Sequence, residues 1–151
     1  MGEETRRDYQ SGAPSRRSTP PFTTPVSIVL DSGALIALER NDKSMWTALK
    51  LAALGNEDVL VPSAALAQVW RGTARQARLS SALDFCVLAS FDAVARADGE
   101  LCGRARTKDI ADAQVAIVAA THGDVLYTSD PADMKRLIVA CRRGMPSIVR
   151  C

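Results

Sequence analysis

The sequence lacks the closely spaced soft ligands that build zinc sites and disulfide frameworks. Its four cysteines are scattered with no C-x-x-C pair, and His122 is the single histidine. Structural zinc sites need several Cys and His side chains at short spacing, so a zinc site is not expected. Reduced thiols in a cytoplasmic protein are the simplest interpretation of the four cysteines.

Long apolar runs and a strong net charge are also missing. No apolar stretch approaches the roughly 20 residues of a membrane-spanning helix, and the N-terminal stretch has no apolar core of the kind found in signal peptides. The formal net charge of +2 is too small to indicate nucleic-acid binding by itself. The composition, 47% hydrophobic and 24% charged over 151 residues, is that of one ordinary globular domain.

The chain divides into two parts by composition. Residues 1–25 are rich in Ser, Thr, Pro and Arg and poor in aliphatic residues, which predicts a disordered N-terminal extension. Residues 26–151 alternate short β-branched runs with helical apolar periodicity and are predicted to form the folded domain. Strands that alternate with helices in this way indicate an α/β fold with a parallel sheet.

Two predicted strands are each followed by an aspartate. Asp31 comes directly after the apolar run 26–30, and Asp130, before Pro131, follows the short strand 125–128. Each aspartate suits the N-cap of the next helix, which is the simplest explanation for one of them alone. In an open parallel sheet, however, helix starts gather beyond the carboxyl ends of the strands, where ligands bind.

A third helix start belongs to the same edge. Asp109 and Asp112 open an apolar-periodic helix that closes at His122 and Gly123. We therefore expect Asp31, Asp112 and Asp130 to meet there. Clustered carboxylates repel one another and need a cation to stay ionised, and oxygen ligands suit Mg²⁺ or Mn²⁺. The natural chemistry of such a site is phosphodiester hydrolysis.

Three arginines accompany the acids. Arg71, Arg75 and Arg78 are spaced by four and three residues, which predicts three guanidinium groups on one helical face. This face is either solvated or a stripe that contacts phosphates beside the acids. Elsewhere, a helix over 45–54 is predicted to bury Trp46, Leu49 and Leu54, and a helix over 92–106 is predicted to turn Glu100 toward water.

Four stretches resemble the PIN-domain family and, within it, the VapC-like ribonuclease toxins of type II toxin–antitoxin modules. They are IVLDSGALIALE (28–39), VLVPSAALAQVWRG (59–72), DIADAQVAIVAATHG (109–123) and VLYTSDPADMKRL (125–137), in the family's order. The resemblance covers almost everything from residue 26 onward. It implies a three-layer α/β/α domain with a central parallel sheet and a Mg²⁺-dependent (or Mn²⁺-dependent) endoribonuclease activity. It also implies an RNA substrate, with tRNA as one candidate, a cognate small antitoxin protein and a homodimer.

The resemblance also assigns roles by position. Asp31, Asp112 and Asp130 would be the catalytic, metal-binding acids. Around them, the supporting residues would be Asp109, Ser129 and Asp133. Arg71 would face RNA or the antitoxin.

One position departs from the family's pattern. Gln68 stands where the family usually has a glutamate, in the helix after the second strand. An amide oxygen can still ligate a metal, but it adds no negative charge and cannot accept a proton. Three interpretations follow: an enzyme that works with three carboxylates, an enzyme that uses Glu39 or Glu100 as a substitute, or an impaired domain that acts by binding RNA or protein.

Other phosphate chemistry on a similar sheet is not supported. A haloacid-dehalogenase-like phosphatase would need a second Asp two residues after Asp31, where Gly33 stands. A phospho-receiver would need paired acids after the first strand and a lysine after the last. Neither pattern is present, although the fold alone does not fix the function.

Overall fold

The computed structural model describes residues 26–151, and the predicted extension over residues 1–25 lies outside the described part. The strands of the described part are β1 (Ser27–Leu30), β2 (Asp58–Pro62), β3 (Val87–Ala89), β4 (Val125–Thr128) and β5 (Ser147–Arg150). The α-helices are α1 (Ser32–Glu39), α2 (Lys43–Leu54), α3 (Ser63–Val69), α4 (Ala77–Leu83), α5 (Ala95–Ala105), α6 (Ile110–His122) and α7 (Pro131–Cys141). A single 3-10 turn over Ala74–Gln76 precedes α4.

The five strands form one parallel sheet in the order β3-β2-β1-β4-β5. In the central strand, Ile28 pairs with Val59 of β2 on one side and with Val125 of β4 on the other. The second and third strands are added on one side of β1, and the fourth and fifth strands are added on its other side. The strand order therefore reverses between β1 and β4, and open α/β sheets bind their ligands at such a point.

Helices cover both faces of the sheet, because alternate residues of a strand point to opposite faces. Val29 packs in a core with residues of α5, α6 and α7, whereas Ile28 and Leu30 pack in a second core with residues of α1, α2 and α4. The predicted three-layer α/β/α architecture with a central parallel sheet is thus confirmed. No helix within residues 26–151 has the length and apolarity that a bilayer crossing needs.

The predicted burial of α2 is only partly correct. Leu49 is buried and Trp46 is half-buried, with its indole N–H donating to the carbonyl of Leu38 at 3.1 Å. Leu54, in contrast, is 80% exposed. It is the last residue of α2, next to the cap Gly55. On α5 the predicted outward position of Glu100 is confirmed, since its side chain is 74% exposed.

The helix that carries Gln68, α3, ends at Val69, and two residues that follow it, Gly72 and Gln76, shape the loop beyond. The buried carboxamide of Gln76 accepts hydrogen bonds from the backbone N–H groups of Arg71 and Gly72, and donates to the carbonyl of Val69. Gly72 has φ +68°, a left-handed conformation that favours glycine. The loop over residues 70–73 is therefore held in one shape from outside the helix.

Candidate active site

Asp31 lies at the carboxyl end of the central strand and is only 4% exposed. Its side chain caps α1, accepting a hydrogen bond from the backbone N–H of Ala34 at 2.8 Å. Burial raises the pKa of this carboxyl, and hydrogen bonds from the Thr128 hydroxyl and from three backbone N–H groups oppose that rise. Asp31 is thus both a helix cap and a buried carboxylate at the point where the sheet reverses.

Thr128, which sequence reasoning did not single out, joins the two strand ends. It is the last residue of β4 and is fully buried. Its hydroxyl bonds to the Asp31 carboxylate and accepts from the backbone N–H of Asp130 at 3.1 Å. A threonine at a strand end is too common to be noticed in a sequence, so only the structure shows that its hydroxyl links β4 to β1.

A glycine brings the first turn of α1 against the segment that follows β4. A Cβ on Gly33 would overlap the hydroxyl of Ser129 and come within 3.0 Å of its backbone nitrogen. The backbone N–H groups of Gly33 and Ser129 lie close enough to the Asp31 carboxylate to lower its pKa. The close approach of these two segments is therefore what encloses Asp31.

Asp112 lies half-buried in the first turn of α6. Asp109 caps this helix, accepting from the backbone N–H groups of Ala111 and Asp112 at 3.1 and 3.0 Å. The pKa of Asp112 rises to about 6, first because of its burial and then because of the negative charges of Asp109, Asp133 and Asp31. The structure therefore brings Asp112 and Asp31 close enough for their charges to interact.

Asp130 and Asp133 begin α7 and are already engaged in local contacts. Asp130 caps the helix, accepting from the backbone N–H of Asp133 at 3.2 Å. The Asp133 carboxylate makes an ion pair with Arg136 at 2.9 Å. Arg136 also donates to the carbonyl of Ala105 at 3.0 Å, which ties α7 to the end of α5.

Gln68 lies on α3, on the wall of an open cavity of about 720 Å³ that also faces α1. Glu39 lines the same cavity, and its carboxylate is 3.3 Å from the amide nitrogen of Gln76. Of the two acids considered as substitutes, Glu39 thus shares a cavity with Gln68. Glu100 instead faces solvent on α5, 4.0 Å from Arg104.

The predicted arrangement of the three arginines is wrong. Arg71 lies in the loop after α3, Arg75 in the 3-10 turn and Arg78 in α4, because Gln76 breaks the helix between them. The guanidinium of Arg71 donates to the carbonyls of Gln68 and Trp70 at the end of α3. Arg71 and Arg75 line the Gln68 cavity, whereas Arg78 lines a separate one.

The donor set fits a metal site of one particular kind. Within residues 26–151, no three His, Cys, Asp or Glu side chains form a group that could hold a metal ion, so the acids do not build a closed cage. Mg²⁺ at phosphoryl-transfer sites is commonly held by one or two carboxylates plus substrate phosphate and water. Asp31 and Asp112, whose charges interact at one edge of the sheet, fit that mode of binding.

The fold is similar to that of a solved structure, although no sequence comparison finds a match. No protein-family description matches the chain, and no curated protein matches it by sequence. Among solved structures it is similar to a chain of the crystal structure of VapBC2 from Rickettsia felis bound to a DNA fragment from their promoter. The two chains have a TM-score of 0.59 and 18% sequence identity, over 83% of this chain and 99% of that chain.

The fold and the sheet-edge acids together define the class. The chain has a PIN-like fold, as the sequence motifs predicted. The solved structure that shares this fold is of VapBC2, and the sequence motifs resemble the VapC-like branch of the PIN-domain family.

Proposed function

We propose that the protein is a metal-dependent endoribonuclease that hydrolyses RNA phosphodiester bonds as the toxin of a toxin–antitoxin pair. The observation that supports this most is the pairing of Asp31 and Asp112 at the reversal point of the sheet. A carboxyl whose pKa is raised to about 6, first by burial and then by neighbouring carboxylates, is typical of a functional site.

The chain's own residues would divide the work as follows. Asp31 and Asp112 would hold the cation, with Asp130 as the third acid. Asp109, Thr128, Ser129 and Asp133 would orient them, and Gln68 would contribute a neutral oxygen. When bound, Mg²⁺ or Mn²⁺ would polarise the phosphoryl group and stabilise the charge that develops on the leaving oxygen.

Arg75 is the cation best placed to hold a flanking phosphate. It lines the Gln68 cavity and is exposed, and it makes no ion pair within residues 26–151. Arginine binds phosphate with charge-assisted hydrogen bonds, so an RNA strand crossing the acids would be held at this side.

A second candidate is an impaired PIN domain that acts by binding RNA or protein. Gln68 favours it, because an amide replaces a negative ligand and would hold a cation less tightly. The two candidates differ in one measurable property. The nuclease needs the carboxylates of Asp31 and Asp112 for chemistry, and the binding domain does not.

We also propose a protein partner. The similar structure is of VapBC2 bound to promoter DNA. By analogy, this chain would assemble with a small antitoxin protein and with a second copy of itself.

The test is cleavage of total RNA and of tRNA by the purified protein with Mg²⁺, with Mn²⁺ and with EDTA. Asp112→Asn is the inactivating variant and should lower the rate at least about 10²-fold, as expected for an essential catalytic carboxylate. Asp58→Asn is the matched control, because Asp58 is an exposed acid at the amino end of β2, on the opposite edge of the sheet.

The outcomes separate the two candidates. Metal-dependent cleavage that is lost in Asp112→Asn and kept in Asp58→Asn supports the nuclease. A silent wild type with cleavage gained in Gln68→Glu supports the impaired binding domain. Cleavage that persists in EDTA and in Asp112→Asn contradicts the proposed site.

A further inference from the structure

Gln114 is a buried polar residue next to the candidate acids, and neither the motifs nor the proposed chemistry gives it a role. It lies on α6, two residues after Asp112, and it is 0% exposed. Its neighbours on that helix, Ala113 and Val115, are also buried and belong to the apolar core. A carboxamide in such surroundings is costly unless both of its ends are hydrogen-bonded.

Both ends of the Gln114 side chain are hydrogen-bonded to other elements. The Oε1 atom accepts from the backbone N–H of Ala64 at 2.9 Å, and the Nε2 atom donates to the carbonyl of Ala89 at 2.9 Å. Ala64 is the second residue of α3, and Ala89 is the last residue of β3. One side chain therefore connects α6, α3 and the edge strand of the sheet.

The bond to Ala64 replaces a cap that α3 lacks. The N-cap residue of α3 is Pro62, which makes no side-chain hydrogen bond to the helix. The first N–H groups of a helix have no partner within the helix, so one from outside it fixes where the helix begins. Gln114 supplies that partner from α6, the helix that carries Asp112.

We propose that Gln114 is a positioning residue that sets the distance and angle between Asp112 on α6 and Gln68 on α3. This inference rests on the proposed function, because it describes how two residues of that site are held relative to each other. The two hydrogen bonds fix the position of the start of α3 relative to α6. Without them α3 keeps its apolar packing and the hydrogen bonds that Ser63 accepts from Phe91 and Val69 accepts from Gln76, but it loses its polar connection to α6.

The test compares three variants. Gln114→Met has nearly the same length and removes both hydrogen bonds. Gln114→Glu keeps an oxygen acceptor for Ala64 and loses the donor to Ala89. Leu49→Ala is the control for lost stability, because Leu49 is buried in the opposite helical layer. Backbone residual dipolar couplings give the angle between α3 and α6, and RNA cleavage gives kcat and KM.

The inference predicts a reorientation of α3 in Gln114→Met, with kcat lowered about 10–100-fold and KM nearly unchanged, as for residues that orient catalytic ligands. Gln114→Glu should retain the angle of α3 and lose less activity. Leu49→Ala should lower the melting temperature without changing either the angle or kcat.

Two results would overturn the inference. One is an unchanged angle between α3 and α6 in Gln114→Met. The other is a loss of kcat in Leu49→Ala as large as that in Gln114→Met, which would reduce Gln114 to a stabilising role. A wild type that cleaves no RNA contradicts the proposed function instead, and the dipolar couplings still decide whether Gln114 sets the angle.

Discussion

The acidic and basic sides of the candidate site are built in different ways. Asp31 is buried, its carboxylate accepts a hydrogen bond from the Ala34 N–H, and the Thr128 hydroxyl beside it lowers its pKa. On the other side, Gln68, Arg71 and Arg75 are exposed along an open cavity. The position of the acids is therefore set by the sheet. The position of the basic residues is set by a loop whose backbone is hydrogen-bonded to the Gln76 side chain.

This difference suggests a division of labour. A carboxylate fixed in the core can hold a cation in one geometry, as catalysis requires. Exposed guanidinium groups along a cavity can follow a flexible strand, which suits phosphate contacts that add affinity without sequence information. Substitutions on the acidic side should thus lower kcat, and loss of the free guanidinium of Arg75 on the basic side should raise KM.

Among the variants that compare the acidic and basic sides, Gly33→Ala is expected to have the largest effect on the cleavage rate. The added methyl group overlaps the Ser129 hydroxyl, so the segment after β4 must move away from Asp31. A displacement of about 1 Å at a reacting centre can cost on the order of 10²-fold in rate, and overpacking costs about 1–3 kcal/mol of stability. Single-turnover cleavage and urea unfolding measure the two effects.

Gly99→Ala is the matched control for Gly33→Ala. Gly99 is on α5, and a Cβ added there meets nothing within 4 Å. Alanine is favoured over glycine in a helix by about 1 kcal/mol, so this variant should be slightly more stable and fully active. If Gly33→Ala is as active as Gly99→Ala, the enclosure of Asp31 has no part in the chemistry.

A smaller effect is expected when the two arginines on the cavity are compared. Arg75→Ala should raise KM for RNA and reduce the slope of log affinity against log salt by about 1, because one phosphate contact is lost. Arg71→Ala removes a cation from the carbonyls at the end of α3. It should instead lower stability by about 0.3–1 kcal/mol.

Salt titrations of RNA binding, together with thermal unfolding, distinguish the two arginine variants. The comparison fails if Arg71→Ala changes the salt slope while Arg75→Ala leaves it unchanged. The phosphate contact would then belong to Arg71, and its bonds to the helix carbonyls would have to break when RNA binds.

Local sequence patterns predict where the aspartates of the acidic side lie, although not the role of Thr128. The aspartates directly follow or precede regular elements with clear periodicity, so their place at the carboxyl edge follows from the topology of a parallel sheet. The predicted caps at Asp31 and Asp130 are confirmed, and Asp109, predicted to open its helix, caps it as well. The ligation of a metal by Asp31, Asp112 and Asp130 stays a prediction.

The basic side could not be predicted, because its shape depends on contacts between residues distant in the chain. Arg71, Arg75 and Arg78 have the spacing of one helical face, but they do not lie on one helix. The Gln76 side chain hydrogen-bonds to the backbone of Val69 and Arg71, where α3 ends. Gln114 acts across an even longer separation, 50 residues from Ala64. Periodicity carries no information on which polar side chain turns inward to satisfy a backbone group.

The smallest predicted effect concerns a carboxyl outside the site, Asp98 on α5. Asp98 is fully buried, its Oδ1 is 3.8 Å from the thiol of Cys102, and its Oδ2 has no partner within residues 26–151. Burial raises its pKa from 3.8 to about 6. Because the folded state holds this proton more tightly, the free energy of unfolding should fall as pH rises between these two values.

Asp98→Asn should remove part of that pH dependence, because an amide carries no charge to desolvate. The remaining slope should come from the other carboxyls with raised pKa values, Asp112, at about 6, and Asp31. Urea unfolding of the wild type, Asp98→Asn and Asp112→Asn at a series of pH values measures both contributions. The two variants should also differ in activity, because only one of the two carboxyls belongs to the candidate site. Asp98→Asn should leave RNA cleavage intact, whereas Asp112→Asn should abolish it. An unaltered slope in Asp98→Asn would mean that this carboxyl finds a partner or water when it ionises.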